Sequence, residues 1–419
     1  MRILLIHQYF LEQNDGGGSR WNEMSRMWAL DGHEVTVLAG MVHYTTGVKS
    51  ERYQGKYVFV DRYPEGNIRV IRSHVSESYN TSFIGRLWGY FSFVFSSLYA
   101  GIFYAREKYD VIIVTSPPLF VGITAYILSK LKRVPFVFEV RDLWPESAID
   151  TGVVKSNLII KMAYWFESFI YKKAHLINVL TPAFRDALIK KGVPEKKVIQ
   201  IPNAGDFELV RKVNNEFDAI AFRNKHNVSK DSFVVTYVGA HGVANHLDQI
   251  LETANILRDK NIVFWLIGDG MEKNRLKLKA NQMGLENVIF FDPVPKAEVF
   301  KYILASDMGA SVLKKADAFK TVYSNKTFDY MSCKKPIFMA IDGVSRALVE
   351  EADAGVYVEP ENANDFAAKV LLYQKNPDLV FSQGINGYDY AINNFDRTVL
   401  AKRFINFIQN PDHINVSNN

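Results

Sequence analysis

Short apolar runs rich in Val, Ile, Leu and Phe recur along the chain, and each is followed by a longer stretch with apolar residues at helical spacing. In the first half the runs are Ile3–Ile6, Val35–Leu38, Val111–Thr115, Phe136–Glu139, Leu176–Leu180 and Val198–Ile201. In the second half they are Phe233–Val238, Val263–Ile267, Val288–Phe291, Met308–Ser311, Pro336–Met339 and Gly355–Val358. A strand apolar on both faces must be covered on both faces. Runs of this kind alternating with helices therefore predict parallel sheets flanked by helices. The rhythm breaks over residues 203–232, where Asn203-Ala-Gly-Asp206 leads into a polar stretch. The pattern predicts an α/β protein of two Rossmann-like domains, 1–205 and 206–419, facing each other across a cleft. A C-terminal helix at about 388–410 is expected to pack back on the first domain. Sheets of this type bind ligands beyond the carboxyl ends of their strands.

One stretch departs from the rhythm. Leu87 to Ala105 carries no charge and holds eight aromatic residues, three serines and two glycines. About 20 apolar residues would span a bilayer. The run leads straight into the predicted core strand at Val111, however, and a spanning helix would part that strand from its sheet. A buried crossover helix and a helix resting in the membrane interface remain the two stronger readings; Arg86 and Arg106 flank the run and can snorkel to lipid phosphates.

Composition narrows the class. The 419 residues are 48% hydrophobic and 23% charged, an ordinary globular balance with enough apolar content for a core in each half. One cysteine, Cys333, excludes an intrachain disulfide framework or a thiolate zinc cluster and suits a reducing compartment. The apolar run after Met1 is too short for a signal-peptide core, so a cytoplasmic location is expected. The polar segment His413–Asn419 reads as a tail. A net charge of +5 is too small to indicate nucleic acid. Lys130, Lys132, Arg133, Lys172, Lys173, Lys190, Lys191, Lys196 and Lys197 nevertheless all fall in the first half, as a solvated surface or a face for anionic lipid.

Candidate chemistry sits after the predicted strands. Asp15-Gly-Gly-Gly-Ser-Arg20 precedes a helix, where glycines let backbone amides approach an anion; it is not the G-x-G-x-x-G of a dinucleotide fold. Arg20 adds charge there or caps the surface. After Phe136–Glu139 comes Arg141-Asp-Leu-Trp-Pro-Glu-Ser147, in which Asp142 can orient an acceptor hydroxyl or take its proton, or else hold the next helix. Gly239, His241 and Gly242 follow one strand of the second half, Gly268, Asp269 and Gly270 the next, and Val294 the third. Backbone groups in such turns can meet phosphate or a base edge, and His241 is expected to face the cleft. In Ser324-Asn-Lys-Thr-Phe-Asp-Tyr-Met331, a helix would put Lys326 and Asp329 on one face. A lysine near a helix start can neutralise diphosphate oxygens and a carboxylate can hold a ribose diol, unless the two form a surface ion pair.

The ordered set Asp15–Arg20, Arg141–Ser147, Ile201-Pro-Asn203, Gly268–Gly270 and Ser324–Met331 resembles the GT-B glycosyltransferases of family 4 over nearly the whole chain. The likeness is strongest to the O-antigen and capsule branch that includes N-acetyl-L-fucosamine transferases. The resemblance implies a retaining, metal-independent transferase with no cofactor. Its donor would be a UDP-sugar, its acceptor a polyprenyl-diphosphate-linked glycan, and its place the inner face of the plasma membrane. It implies that Gly17 and Gly18 approach the donor phosphates, that Lys326 lies near the diphosphate and that Asp329 holds the ribose; Gly239, His241, Gly242, Gly268, Asp269, Gly270, Val294 and Asn325 are expected to complete the donor site, and Arg141, Trp144 and Glu146 to meet the acceptor. Asp142 and Thr321 take the catalytic positions. Where relatives carry two glutamates eight residues apart, this chain has Thr321 and Asp329, and the basic pair that relatives use on the diphosphate is absent around Ala240 and Asn245. A non-hydrolysing UDP-sugar 2-epimerase and a non-catalytic scaffold of polysaccharide assembly are the alternatives.

Overall fold

The structure is a computed structural model that describes residues 1–12, 19–43, 47–63, 67–80, 83–150 and 156–411. Gly17, Gly18 and the tail from His413 lie outside the described residues. The chain divides into two compact units, Met1–Pro202 with Leu400–Asn419, and Asn203–Val399.

The first unit is built on β1 (Arg2–Ile6), β2 (Glu34–Gly40), β3 (Val58–Tyr63), β4 (Ile68–Ser73), β5 (Val111–Thr115), β6 (Phe136–Val140), β7 (Leu176–Val179) and β8 (Val198–Gln200). They form one sheet in the order β3-β4-β2-β1-β5-β6-β7-β8. All neighbours are parallel except β3, which runs antiparallel to β4 with Val58 opposite Ser73 and Tyr63 opposite Ile68. The β3–β4 pair escapes the sequence pattern because Asp61, Arg62, Arg69 and Arg72 interrupt its apolar residues. On the edge strand β3 charged side chains cost little, while Arg72 of β4 is buried with its guanidinium donating to Phe10 O at 2.9 Å and Gly40 O at 3.1 Å.

The unit's helices are α1 (Arg20–Leu30), α2 (Phe83–Phe103), α3 (Val121–Lys132), α4 (Glu146–Asp150), α5 (Asn157–Lys173) and α6 (Pro182–Lys190). The uncharged run forms α2, the crossover from β4 to β5. One side, with Phe93, Ser96, Ser97 and Ala100, is buried, while Phe95 and Tyr99 are exposed. Its serines bond inward, Ser96 Oγ donating to Ser73 Oγ at 3.0 Å and Ser97 Oγ sharing a hydrogen with Thr124 Oγ1 at 3.1 Å. No described helix is long and apolar enough to cross a membrane.

The second unit holds α7 (Phe207–Asn214), α8 (Ala219–Lys225), α9 (Asp248–Ile256), α10 (Lys273–Gln282), α11 (Lys296–Leu304), α12 (Asn325–Ser332), α13 (Val344–Glu351), α14 (Ala363–Gln374) and α15 (Pro377–Phe395). They flank a parallel sheet of β9 (Phe233–Val238), β10 (Ile262–Ile267), β11 (Val288–Phe291), β12 (Met308–Val312), β13 (Ile337–Ala340) and β14 (Gly355–Tyr357), in the order β11-β10-β9-β12-β13-β14. Successive residues of β9 serve opposite cores: Val234 and Val238 pack with Trp265 and Phe300, Val235 and Tyr237 with Phe264 and Leu266.

The expected helix at 388–410 is two helices, α15 and α16 (Arg397–Gln409). Asp396 between them is extended, its side chain caps Val399 N at 3.0 Å, and Gly205 N donates to Phe395 O at 3.0 Å. A carboxylate that caps a new helix start ends the old one. From Leu400 onward α16 belongs to the first unit, where Phe404 packs on Trp21 and Trp28 and Trp28 Nε1 donates to Ala401 O at 3.0 Å.

Candidate active site

In the second unit the order of strand addition reverses between β9 and β12, which are parallel and pair only through Val235–Met308 and Thr236–Gly309. Beyond that point the strands part and leave backbone groups to be satisfied. Tyr330, from α12, fills the gap. Its hydroxyl accepts from Val238 N and meets Thr236 O and Ala310 O, all at 3.1 Å. The ring lies where a Cβ on Gly309 would stand, 2.3 Å from Tyr330 Cγ. One buried phenol therefore pins α12 to the strand ends where an α/β sheet binds its ligand. Tyr330→Phe is expected to cost about 2–3 kcal/mol, because it strands a buried N–H and buried carbonyls. Chemical denaturation of the two proteins checks this, and a loss under 0.5 kcal/mol would refute the pinning role.

The glycine turns meet backbone to backbone. Gly239 (φ +139°) donates its N–H to Ile267 O at 3.0 Å, and a Cβ on Gly268 (φ +144°) would fall 1.9 Å from Gly239 O. No side chain fits there. His241 N donates to Asp269 O at 2.8 Å and Glu272 N to His241 O at 2.9 Å.

This locking corrects the expectation for His241. Turning its backbone toward the Gly268–Gly270 loop carries the ring beneath the turn, where it is fully buried between Tyr237 and Phe290. Burial, then the nearby Lys273, pushes its pKa down to about 4, so the ring is a neutral, buried group. Asp269 is exposed and accepts from Gly270 N at 2.8 Å; Gly242 is half-buried at the following turn; Val294 packs on the core below.

Lys326 stands in the second residue of α12. Its ammonium lies 4.6 Å from the centre of the Tyr237 ring, and a Cβ on Gly239 would be 3.3 Å from its Cε. Among the described residues it has no hydrogen-bond or carboxylate partner, and burial pushes its pKa down to about 8. The alternative reading, a surface ion pair between Lys326 and Asp329, is not realised. Asp329 is half-buried 3.4 Å from Lys296 Nζ; burial raises its pKa and Lys296 opposes the rise. Asn325 Oδ1 accepts from Asn203 Nδ2 at 2.5 Å. Ser324 gives α12 no side-chain cap, its hydroxyl being taken by Ser311 Oγ at 2.6 Å. The helix start thus presents amides and a cation together, an arrangement suited to an anion.

Thr321 closes a short 3₁₀ turn and donates its hydroxyl to Ala318 O at 2.9 Å. Sequence reasoning missed Lys273, whose buried Nζ donates to Gly268 O (2.8 Å), Phe291 O (2.9 Å) and Asp292 Oδ1 (2.7 Å), tying the ends of β10 and β11. A cation in the first turn of a helix opposes the helix dipole, and that was the available signal.

In the first unit Glu139 is not a loop charge. It is fully buried at the end of β6, accepting from Thr115 Oγ1 (3.1 Å), Asn178 Nδ2 (2.8 Å) and Arg20 Nε (3.1 Å). Arg20, read as either adding charge at the glycine loop or capping the surface, is internal; its guanidinium also donates to Ile201 O at 2.7 Å and to Pro202 O. Asp142 is half-buried with its pKa raised by burial, and it accepts from Ser147 Oγ at 2.8 Å, so it braces α4. Trp144 packs edge-on against Phe120, Glu146 pairs with Lys191 at 2.8 Å, and Arg141 is half-buried with its Nε unbonded. Arg141 also helps burial hold the His7 pKa well down. His7 and Gln8, both buried just past β1, were missed as well; polar residues directly after an all-apolar strand were the signal. Beside them, at the carboxyl ends of β1 and β2, a cavity of about 410 Å³ is lined by Tyr9, Gly40, Met41, His43, Lys49 and Arg72 among others. The Arg141–Glu146 loop does not line it.

Residues 15–204 match the family described as Glycosyl transferase 4-like domain, and residues 218–390 match Glycosyl transferases group 1. Together these matches take in most of the chain. The protein is a GT-B glycosyltransferase of family 4. It is 25% identical to the putative colanic acid biosynthesis glycosyl transferase WcaI of Escherichia coli, over 98% of this chain and 100% of that one. It is 24% identical to the probable glycosyltransferase WbjE of Pseudomonas aeruginosa, over 71% and 72% of the two chains. Among solved structures it shares its fold with sucrose-phosphate synthase of Thermosynechococcus elongatus, at a TM-score of 0.73, 18% identity and coverage of 97% and 98%. It also shares it with HepE of Anabaena in complex with UDP, at 0.69, 17% identity and coverage of 98% and 100%. Membership of this family sets aside the epimerase and scaffold alternatives.

Proposed function

We propose that this glycosyltransferase moves a sugar from a UDP-sugar to a lipid-linked glycan with retention of anomeric configuration, working from the inner face of the plasma membrane. An N-acetylated amino sugar, of the N-acetyl-L-fucosamine kind, is the first donor to test. The observation that carries the reading is Lys326: an ammonium without an acidic partner, beside Gly239 and at the uncapped start of α12. When the bond from the sugar C1 to the diphosphate oxygen breaks, both electrons leave with the oxygen, and charge develops where this cation and these amides can meet it. The acceptor oxygen bonds to C1, and its proton passes to the departing phosphate. Asp329 holds the ribose once it exchanges Lys296 for the diol. The Lys326 ammonium and the amides at the start of α12 take the part a metal would otherwise play in steadying the leaving group.

UDP is therefore expected to stabilise the protein, by about 2.7 kcal/mol at a hundred times its dissociation constant. The shift is expected to persist in excess EDTA. Differential scanning fluorimetry with UDP, GDP and CDP decides the first point: equal shifts from all three, or none, would sink the UDP assignment. Loss of the UDP shift in EDTA would sink metal independence.

A further inference from the structure

We propose that the outer face of the α2–α3–α5 layer is a docking surface for an anionic phospholipid bilayer. This deepens the proposed function and rests on it only for the acceptor being lipid-linked.

α2 packs on β2, β4 and α3, and α3 packs in turn against α5, so the three helices form one layer on one side of the first unit's sheet. A layer of this kind ordinarily turns polar side chains outward. Here the outward side is apolar. On α5, Leu158, Met162 and Trp165 follow one another at helical spacing and are 69%, 61% and 68% exposed. On α2, Trp88 and Phe95, two turns apart, are 56% and 59% exposed, with Tyr99 next in line. Scattered surface leucines need no explanation, but two stripes with large aromatic rings on the two outer helices of one layer do.

Charge identifies the occupant. α2 and α3 contain no acidic residue, and the one acid of α5, Glu167, is buried and bound to Lys191 at 2.6 Å. Lys130, Lys161, Lys172 and Lys173 are exposed on these helices. Other basic residues of the region are spent inside the unit: Lys132 donates to Ala105 O, Lys191 pairs with Glu146 and Glu167, and Lys197 donates to Tyr171 O. Apolar and aromatic side chains, free lysines and no outward carboxylate on the three helices match a headgroup region with anionic phosphates above acyl chains. A protein partner would be expected to meet some acidic residue across such a face. No described helix can cross the bilayer, so the layer lies on it.

The test is co-sedimentation of the full chain with vesicles of phosphatidylcholine alone and of phosphatidylcholine with phosphatidylglycerol. The protein is expected to sediment with the mixed vesicles, less so as salt rises, and to remain in solution with neutral ones. The triple variant Leu158→Ser/Met162→Ser/Trp165→Ser should lower the bound-to-free ratio at least tenfold, as should Lys161→Glu/Lys172→Glu/Lys173→Glu. Both sets lie at the surface, so melting temperature and UDP shift should match the parent. Three results would overturn the docking face: no sedimentation with mixed vesicles, variants that sediment like the parent, or an apolar variant that turns a lipid-free oligomer into a monomer. Vesicle binding without any UDP shift would leave the docking face standing and overturn the donor assignment instead.

Discussion

Lys326→Met is expected to stabilise the free protein and to abolish its response to UDP. The free ammonium is half-buried with only the Tyr237 ring against it, and burial has pushed its pKa from 10.5 to about 8. Below pH 8 the folded protein therefore carries a charge that would be better solvated in the unfolded chain. Methionine fills the same space without that penalty, and a gain on the order of 1 kcal/mol near pH 7 is expected, part of the desolvation being offset by the lost cation–π contact. The donor pays the opposite way. A diphosphate gains its cation only while Lys326 is protonated, so its loss is expected to lower kcat/KM by roughly 10²–10³-fold.

The pH dependence has two arms of opposite sign. Between about 8 and 10.5 the unfolded chain binds the Lys326 proton more strongly than the folded one, so this residue makes stability rise with pH across that window. The UDP shift is expected to shrink over the same window as the ammonium is lost. In Lys326→Met both contributions disappear. Thermal melts with and without UDP at pH 7 and pH 9 measure all four quantities, and a variant that keeps the parent's UDP shift would remove Lys326 from the donor site.

Arg20→Ala is expected to cost about 3–5 kcal/mol, among the largest effects available to a single substitution here. The guanidinium and the Glu139 carboxylate are 8% and 0% exposed, and the same guanidinium holds the carbonyls of Ile201 and Pro202. Removing it leaves a buried carboxylate with only Thr115 and Asn178 as donors, takes the donor from the Pro202 carbonyl, and leaves that of Ile201 with only Asn178 Nδ2 at 3.4 Å. Glu139→Gln in the Arg20→Ala background should restore part of the loss, because it removes the uncompensated charge. Denaturation followed by tryptophan fluorescence reads the effect, Trp21 being the neighbour of Arg20. A loss under 1 kcal/mol, or no rescue, would mean that the pair does not anchor the start of α1.

Much of this was legible from the pattern of residues. Runs such as Ile3–Ile6 and Phe233–Val238 are apolar on both faces, and only a covered parallel sheet buries both, so two α/β units follow without knowledge of any contact. The glycine turns after β9 and β10 and the lysine near the start of α12 were legible for the same kind of reason: each is a local requirement of backbone or helix end. The β3–β4 pair was not, because charges on the edge strand β3 and the buried Arg72 of β4 hide its alternation. The break at Asp396 was missed because helical spacing continues across it.

Side-chain roles that depend on which distant atoms meet were decided by tertiary structure alone. Arg20 and Glu139 lie 119 positions apart and join inside the first unit. Tyr330 fills a gap that exists only because β9 and β12 part. His241 turned inward because its backbone bonds the neighbouring loop, and a sequence does not say on which side of a turn a side chain falls. The charge-free run of α2 was ambiguous until packing divided it into a buried side and an exposed side. Periodicity constrains one element at a time, and so the sequence determined the layers. Burial and pairing are properties of several elements at once, and so only the folded chain determined which charges are held inside it and which, like Lys326, are left without a partner.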